Sequence, residues 1–121
     1  MNQRIEYAEL KNWALEGIYD HLKHGVKLGS ETCDLLEALN HVAANYETSF
    51  EYEMEDFMFY AILAVIGSNQ YGDWARFCVS KMREIKATAS FDKQFARLPQ
   101  DEEEALKSDL KALSIFMGSE I

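Results

Sequence analysis

The sequence predicts an all-α fold, a single-domain bundle of five or six helices around a buried third helix. Three observations predict it. Apolar residues recur at helical spacing along nearly the whole chain, and strand-like alternation is almost absent. Proline occurs once, at Pro99, so long stretches run without a helix breaker. The run Phe57 to Ile66, "FMFYAILAVI", is apolar on every side, as the central helix of a bundle should be. The 121 residues correspond to one domain spanning residues 1–121. A chain of this size buries roughly 65% of its unfolded surface.

The first helix is expected from about Arg4 to His24, stopped by Gly25 as a left-handed cap. Ile5, Ala8, Leu15, Ile18 and Leu22 form its apolar stripe, which Trp13 and Gly17 widen. Ser30 is placed to cap a second helix over Glu31 to Tyr46, with Leu35, Leu36, Leu39, Val42, Ala43 and Tyr46 inward. Thr48 and Glu51 fit the capping box of the third helix, which runs to about Ile66. "GSNQYGD" reads as a loop, and Asp73 as the cap of a fourth helix carrying Trp74, Phe77, Cys78, Met82 and Ile85. A short helix covers Phe91 to Leu98 before Pro99 breaks it. Asp101 with Glu104 starts the last helix, with Leu106, Leu110, Leu113 and Met117 on one side and Gly118 at its end.

The net charge is −9, and its distribution is one-sided. Between Lys27 and Arg76 there is no lysine or arginine, yet that window holds nine acids. The rest of the chain has twelve bases and twelve acids and sums to zero. Nucleic acid and anionic membrane surfaces are therefore poor partners, and a basic protein is a good one. The longest apolar run is about half of a bilayer span. Two cysteines without a CxxC pattern, and no signal-peptide pattern, suit a reducing cytoplasm.

The acidic window contains "SFEYEMEDFMFY", residues 49–60, in which four acids and five aromatics are interleaved. At about 100° per residue, Phe50, Met54, Phe57 and Ala61 face one way. Glu51, Glu53, Glu55 and Asp56 occupy the remaining arc, and Tyr52 and Phe59 fall within it. A neighbouring helix could cover those rings. If the arc is wet, rings inside a charged rim have the anatomy of a protein-binding surface. Glu31, Asp34 and Glu37 form a matching row on the second helix, continued by His41 and Asn45. Antiparallel packing of helices two and three could bring both acidic edges to one groove. The partner-binding candidates are thus Glu31, Asp34, Glu37, Glu51, Tyr52, Glu55, Asp56 and Phe59.

Catalytic and cofactor motifs are missing: there is no HExxH, GxSxG, P-loop or GxGxxG. No glutamate has a histidine three residues later, so a ferritin-like di-metal bundle is excluded. His21, His24 and Asp20 near the end of helix one read as solvated groups rather than metal ligands, and no cofactor or metal is expected. Cys78 lies on an apolar stripe and reads as core. The basic surplus of residues 76–98 reads as solvated or self-paired.

A small, acidic, all-helical chain with one-sided carboxylates and no catalytic kit resembles the immunity proteins of bacterial contact-dependent growth inhibition toxin systems. The resemblance covers general character across the chain, and carries no residue-by-residue correspondence. It implies binding and neutralising a basic toxin domain, such as a nuclease, with carboxylates standing in for substrate phosphates. The alternative is a small regulatory or adaptor domain that dimerises through leftover apolar surface or binds a partner helix. Neither is an enzyme.

Overall fold

A computed structural model describes residues 4–27, 34–46, 50 and 52–121, and of residues 24–27 the backbone only. Among these it contains six helices and no strand: α1 (Tyr7–Lys27), α2 (Leu35–Tyr46), α3 (Glu53–Gly67), α4 (Gly72–Lys86), α5 (Phe91–Ala96) and α6 (Gln100–Met117). The fold is an all-α bundle, and α3 is its centre. α3 packs most extensively on α4, then on α1 and α6, and also touches α2 and α5. Its residues from Phe57 to Ala64 are all buried, as the uniformly apolar run requires.

The helix starts differ from those read in the sequence. The chain before Tyr7 is not helical, because its polar groups are claimed from afar. The Arg4 guanidinium donates to both Glu102 oxygens at 2.5 and 2.6 Å, and the Ile5 N–H donates to Glu55 at 2.8 Å. At its other end α1 continues through Gly25 to Lys27, since glycine permits a left-handed cap without imposing one. Ser30, Glu31, Thr48 and Glu51 lie outside the described residues. Asp34 caps the described start of α2: its Oδ1 accepts the Glu37 N–H at 2.9 Å. At α3 the cap position is Tyr52, and Glu55 reaches back to accept the Tyr52 N–H at 3.0 Å. Tyr71 precedes α4, so Asp73 lies inside the first turn, paired with Arg76 at 3.1 Å. α5 ends at Ala96, two residues earlier than read. Pro99 precedes α6, Asp101 sits in its first turn, and Gly118 ends it in the left-handed conformation, φ 71°.

A polar clasp holds the N-terminal ends of α1, α3 and α6 together. Glu102 accepts the Tyr7 N–H at 2.9 Å as well as both Arg4 bonds. The Glu102 hydrogen bond is also what chiefly raises the Arg4 pKa. The buried Tyr7 hydroxyl donates to Asp109, which Lys11 meets at 3.0 Å. Burial first, then Asp109, pushes the Tyr7 pKa up. On the far side Gln94 of α5 accepts the Met54 N–H at 2.8 Å and donates to Glu53 at 2.7 Å, holding the Glu53 carboxyl below the usual carboxylate range.

Candidate functional site

The sequence places Phe59 and Glu55 on a wet acidic arc; the structure buries both, each only 2% exposed. Phe59 lies under Tyr46 of α2, edge to face at 5.8 Å, and beside Phe50 at 5.1 Å. Glu55 turns inward because each of its oxygens has a backbone N–H to accept, from Tyr52 and from Ile5. Tyr52 and Asp56 are half-buried. Glu31 and Glu51 lie outside the described residues. Asp34 and Glu37 are exposed and begin a row that runs along α2 through exposed His41 and Asn45.

The two acidic edges do not flank one groove. Tyr46, the last residue of α2, meets Phe59 in the middle of α3, while a Cβ on Gly67, at the end of α3, would lie 3.0 Å from Leu39, earlier in α2. α2 and α3 therefore run antiparallel. Both carry their acids near the N-terminus, so the pairing sends Asp34 and Glu37 to one end and Glu53, Glu55 and Asp56 to the other.

The C-terminal part of that row, His41 and Asn45, instead borders α1. Gly17 brings these helices close: a Cβ there would lie 3.1 Å from Cγ2 of Val42. Above that contact runs a shallow trough. One part, about 290 Å³, is lined by Trp13, Glu16, Gly17, Asp20 and Tyr46. The other, about 360 Å³, shares Gly17, Asp20 and Tyr46 and continues to His21, His41 and Asn45. The Trp13 and Tyr46 rings are half-buried, with centroids 6.4 Å apart and planes tilted by 32°. Glu16 and Asp20 are exposed, one helical turn apart on the rim. Aromatic faces within a carboxylate rim are the anatomy expected of α3, and the fold builds them between α1 and α2 instead.

The acids of this face are outside the ion pairs of the fold. Five ion pairs occur among the described residues: Arg4–Glu102, Lys11–Asp109, Arg76–Asp73, Lys81–Glu84 and Lys107–Glu103. None involves Glu16, Asp20, Asp34 or Glu37. Lys23, one turn beyond Asp20, makes no salt bridge with it. A signal for the α1 side was present in the sequence. Trp13 and Gly17 widen the apolar stripe toward a second neighbour, and Glu16 and Asp20 follow them at helical spacing.

Other reactive groups are placed differently. His21 stacks on His41 with centroids 4.2 Å apart, and Asn45 Nδ2 lies 2.8 Å from His41 Nε2. Among the described residues no cluster of three or more His, Cys, Asp or Glu is arranged to hold a metal ion. Cys78 is fully buried, and burial pushes its thiol up to about 12, so it carries no thiolate at neutral pH. Cys33 lies outside the described residues. No described helix is long and apolar enough to cross a membrane. No protein-family model, curated protein or solved structure matches this chain.

Proposed function

We propose that this chain is an immunity-type inhibitor that captures a basic protein, such as a toxin nuclease domain, on the face shared by α1 and α2. One observation carries the reading: Glu16, Asp20, Asp34 and Glu37 stand exposed on adjacent helices with no cation paired to them among the described residues. By contrast, Glu102 and Asp109, where α6 meets α1, are each paired with a cation. Unpaired charge of one sign raises the capture rate of an opposite partner by ~10–10³. Aromatic side chains among the carboxylates supply the short-range contacts that set residence time. The burial of Phe59 and Glu55 removes the α3 version of this surface. Tyr52 and Asp56 at the start of α3 sit at the end of the α2–α3 pair away from Asp34 and Glu37.

The test is co-expression with the product of the gene immediately upstream. Growth rescue and co-purification are expected. Asp34→Asn with Glu37→Lys retains a capping side chain at position 34 and removes negative charge. It should slow association by about tenfold and flatten its salt dependence. Rescue and association kinetics unaffected by that pair of changes would eliminate this face.

A second reading, homodimerisation, rests on a different observation. α1 and α6 leave an apolar groove of about 190 Å³ whose lining includes Leu15, Ile62, Val65 and Ile66, with the Lys11–Asp109 pair at one end. Leu15 is 53% exposed and Tyr19, one turn on, is 65% exposed. Such a strip marks an interaction surface.

A further inference from the structure

We infer that the notch over Gly17 receives an arginine side chain from the protein partner. This rests on the reading of the α1–α2 face as the docking surface for a basic protein, and names what that surface grips. The notch is defined by five residues whose chemistry converges on one ligand class. Gly17 lies in the floor, where a Cβ would press on Cγ2 of Val42 at 3.1 Å. Trp13 and Tyr46 turn ring surface into the notch from the two helices. Glu16 and Asp20 supply carboxylates one turn apart on the rim, and neither is paired with a cation among the described residues.

A neutral apolar side chain would leave both carboxylates facing a dry contact. An acidic one would be repelled by them. A cation satisfies rings and acids together, through the negative ring faces and the opposite charge. Guanidinium fits better than ammonium. It is planar, it stacks on aromatic faces, and its fork of donors can reach two acceptors at once. It is also less strongly hydrated, so it loses less on entering a half-buried notch. Beyond the trough, which ends at His41, exposed Glu37 and Asp34 continue the same row of α2 and offer neighbouring basic residues of the partner a second contact.

The probe is a blocked Gly-Arg-Gly tripeptide, titrated into the ¹⁵N-labelled full chain and followed by NMR. The chain holds an internal control. Trp74 is buried, with its indole N–H on the Leu63 carbonyl at 3.2 Å, whereas Trp13 lines the notch. The arginine peptide should shift the Trp13 indole and the Gly17 amide saturably, in the millimolar range expected of a single side-chain contact, and leave Trp74 still. The lysine peptide should bind several-fold more weakly, and the glutamine peptide not at all.

Glu16→Gln with Asp20→Asn should weaken the arginine peptide by about tenfold. An unmoved Trp74 resonance in that variant shows that the fold is intact. Equal shifts with glutamine, equal affinity for lysine, or a silent Trp13 at tens of millimolar peptide would each overturn the assignment. The two readings can fail separately. If the peptide does not bind but growth rescue depends on Glu37, only the notch is lost. If the peptide binds at Trp13 but no basic partner is found, the notch stands and the inhibitor reading falls.

Discussion

Gly67 closes α3 at a place where no side chain fits. A Cβ there would lie 2.5 Å from Cδ1 of Trp74 and 3.0 Å from Cδ1 of Leu39. Neither neighbour is free to move, since the Trp74 indole is tied to the Leu63 carbonyl and Leu39 is fully buried. Alanine is favoured over glycine inside a helix by ~1 kcal/mol, yet overpacking costs about 1–3 kcal/mol and more where nothing yields. Gly67→Ala should therefore lower the unfolding free energy by about 1–3 kcal/mol in urea denaturation. A variant as stable as the parent would show that Trp74 has another position available. In the sequence Gly67 reads as the first residue of a loop, "GSNQYGD", because a glycine before polar residues marks a break. That it is the last residue of α3, pressed by an indole, depends on how α4 returns.

Helix starts show the same division one scale up. The acids of residues 31–56 offer several capping partners, and sequence rules favour a Ser or Thr three residues before a Glu. Of the described starts, α2 uses Asp34 with the Glu37 N–H, and α3 uses Glu55 with the Tyr52 N–H. Two residues read as docking groups therefore also have local structural work. Glu55 has a second bond, to the Ile5 N–H, that no local rule could supply because Ile5 lies fifty residues away. Glu55→Ala should cost about 2–4 kcal/mol, since charge-assisted bonds contribute ~1.5–3 kcal/mol each and are not additive. Glu37→Ala, which removes an exposed side chain, should stay within about 0.5 kcal/mol of the parent. Thermal and urea unfolding of the two variants measure the contrast, and equal small effects would mean that Glu55 is solvated like its neighbours.

For the whole molecule, direction decides the surface. Antiparallel packing of α2 on α3 separates two acidic clusters that the helical wheels set on matching edges. The face of α1 toward α2 then becomes the charged one, and its face toward α6 the apolar one. These two faces predict different behaviour in solution. If the chain self-associates through the α1–α6 groove, sedimentation should show a dimer that changes little between low and high salt. Leu15→Glu with Tyr19→Glu should then dissociate it. A monomer throughout, up to ~100 μM, a concentration at which micromolar contacts are populated, would leave only the charged face as a docking surface.

The amino-acid sequence alone determined the all-α class, the central place of α3, the end of α6 at Gly118 and the confinement of net charge to residues 28–75. Each follows from local spacing or composition, which the chain carries whatever its neighbours do. Only the tertiary structure decided that Phe59 and Glu55 are inside, and that Trp13, Glu16, Asp20 and Tyr46 line a wet trough over Gly17. A helical wheel assigns each residue an angle. What lies at that angle, water or another helix, is set by contacts between residues far apart in the chain, as between Ile5 and Glu55 or Tyr46 and Phe59.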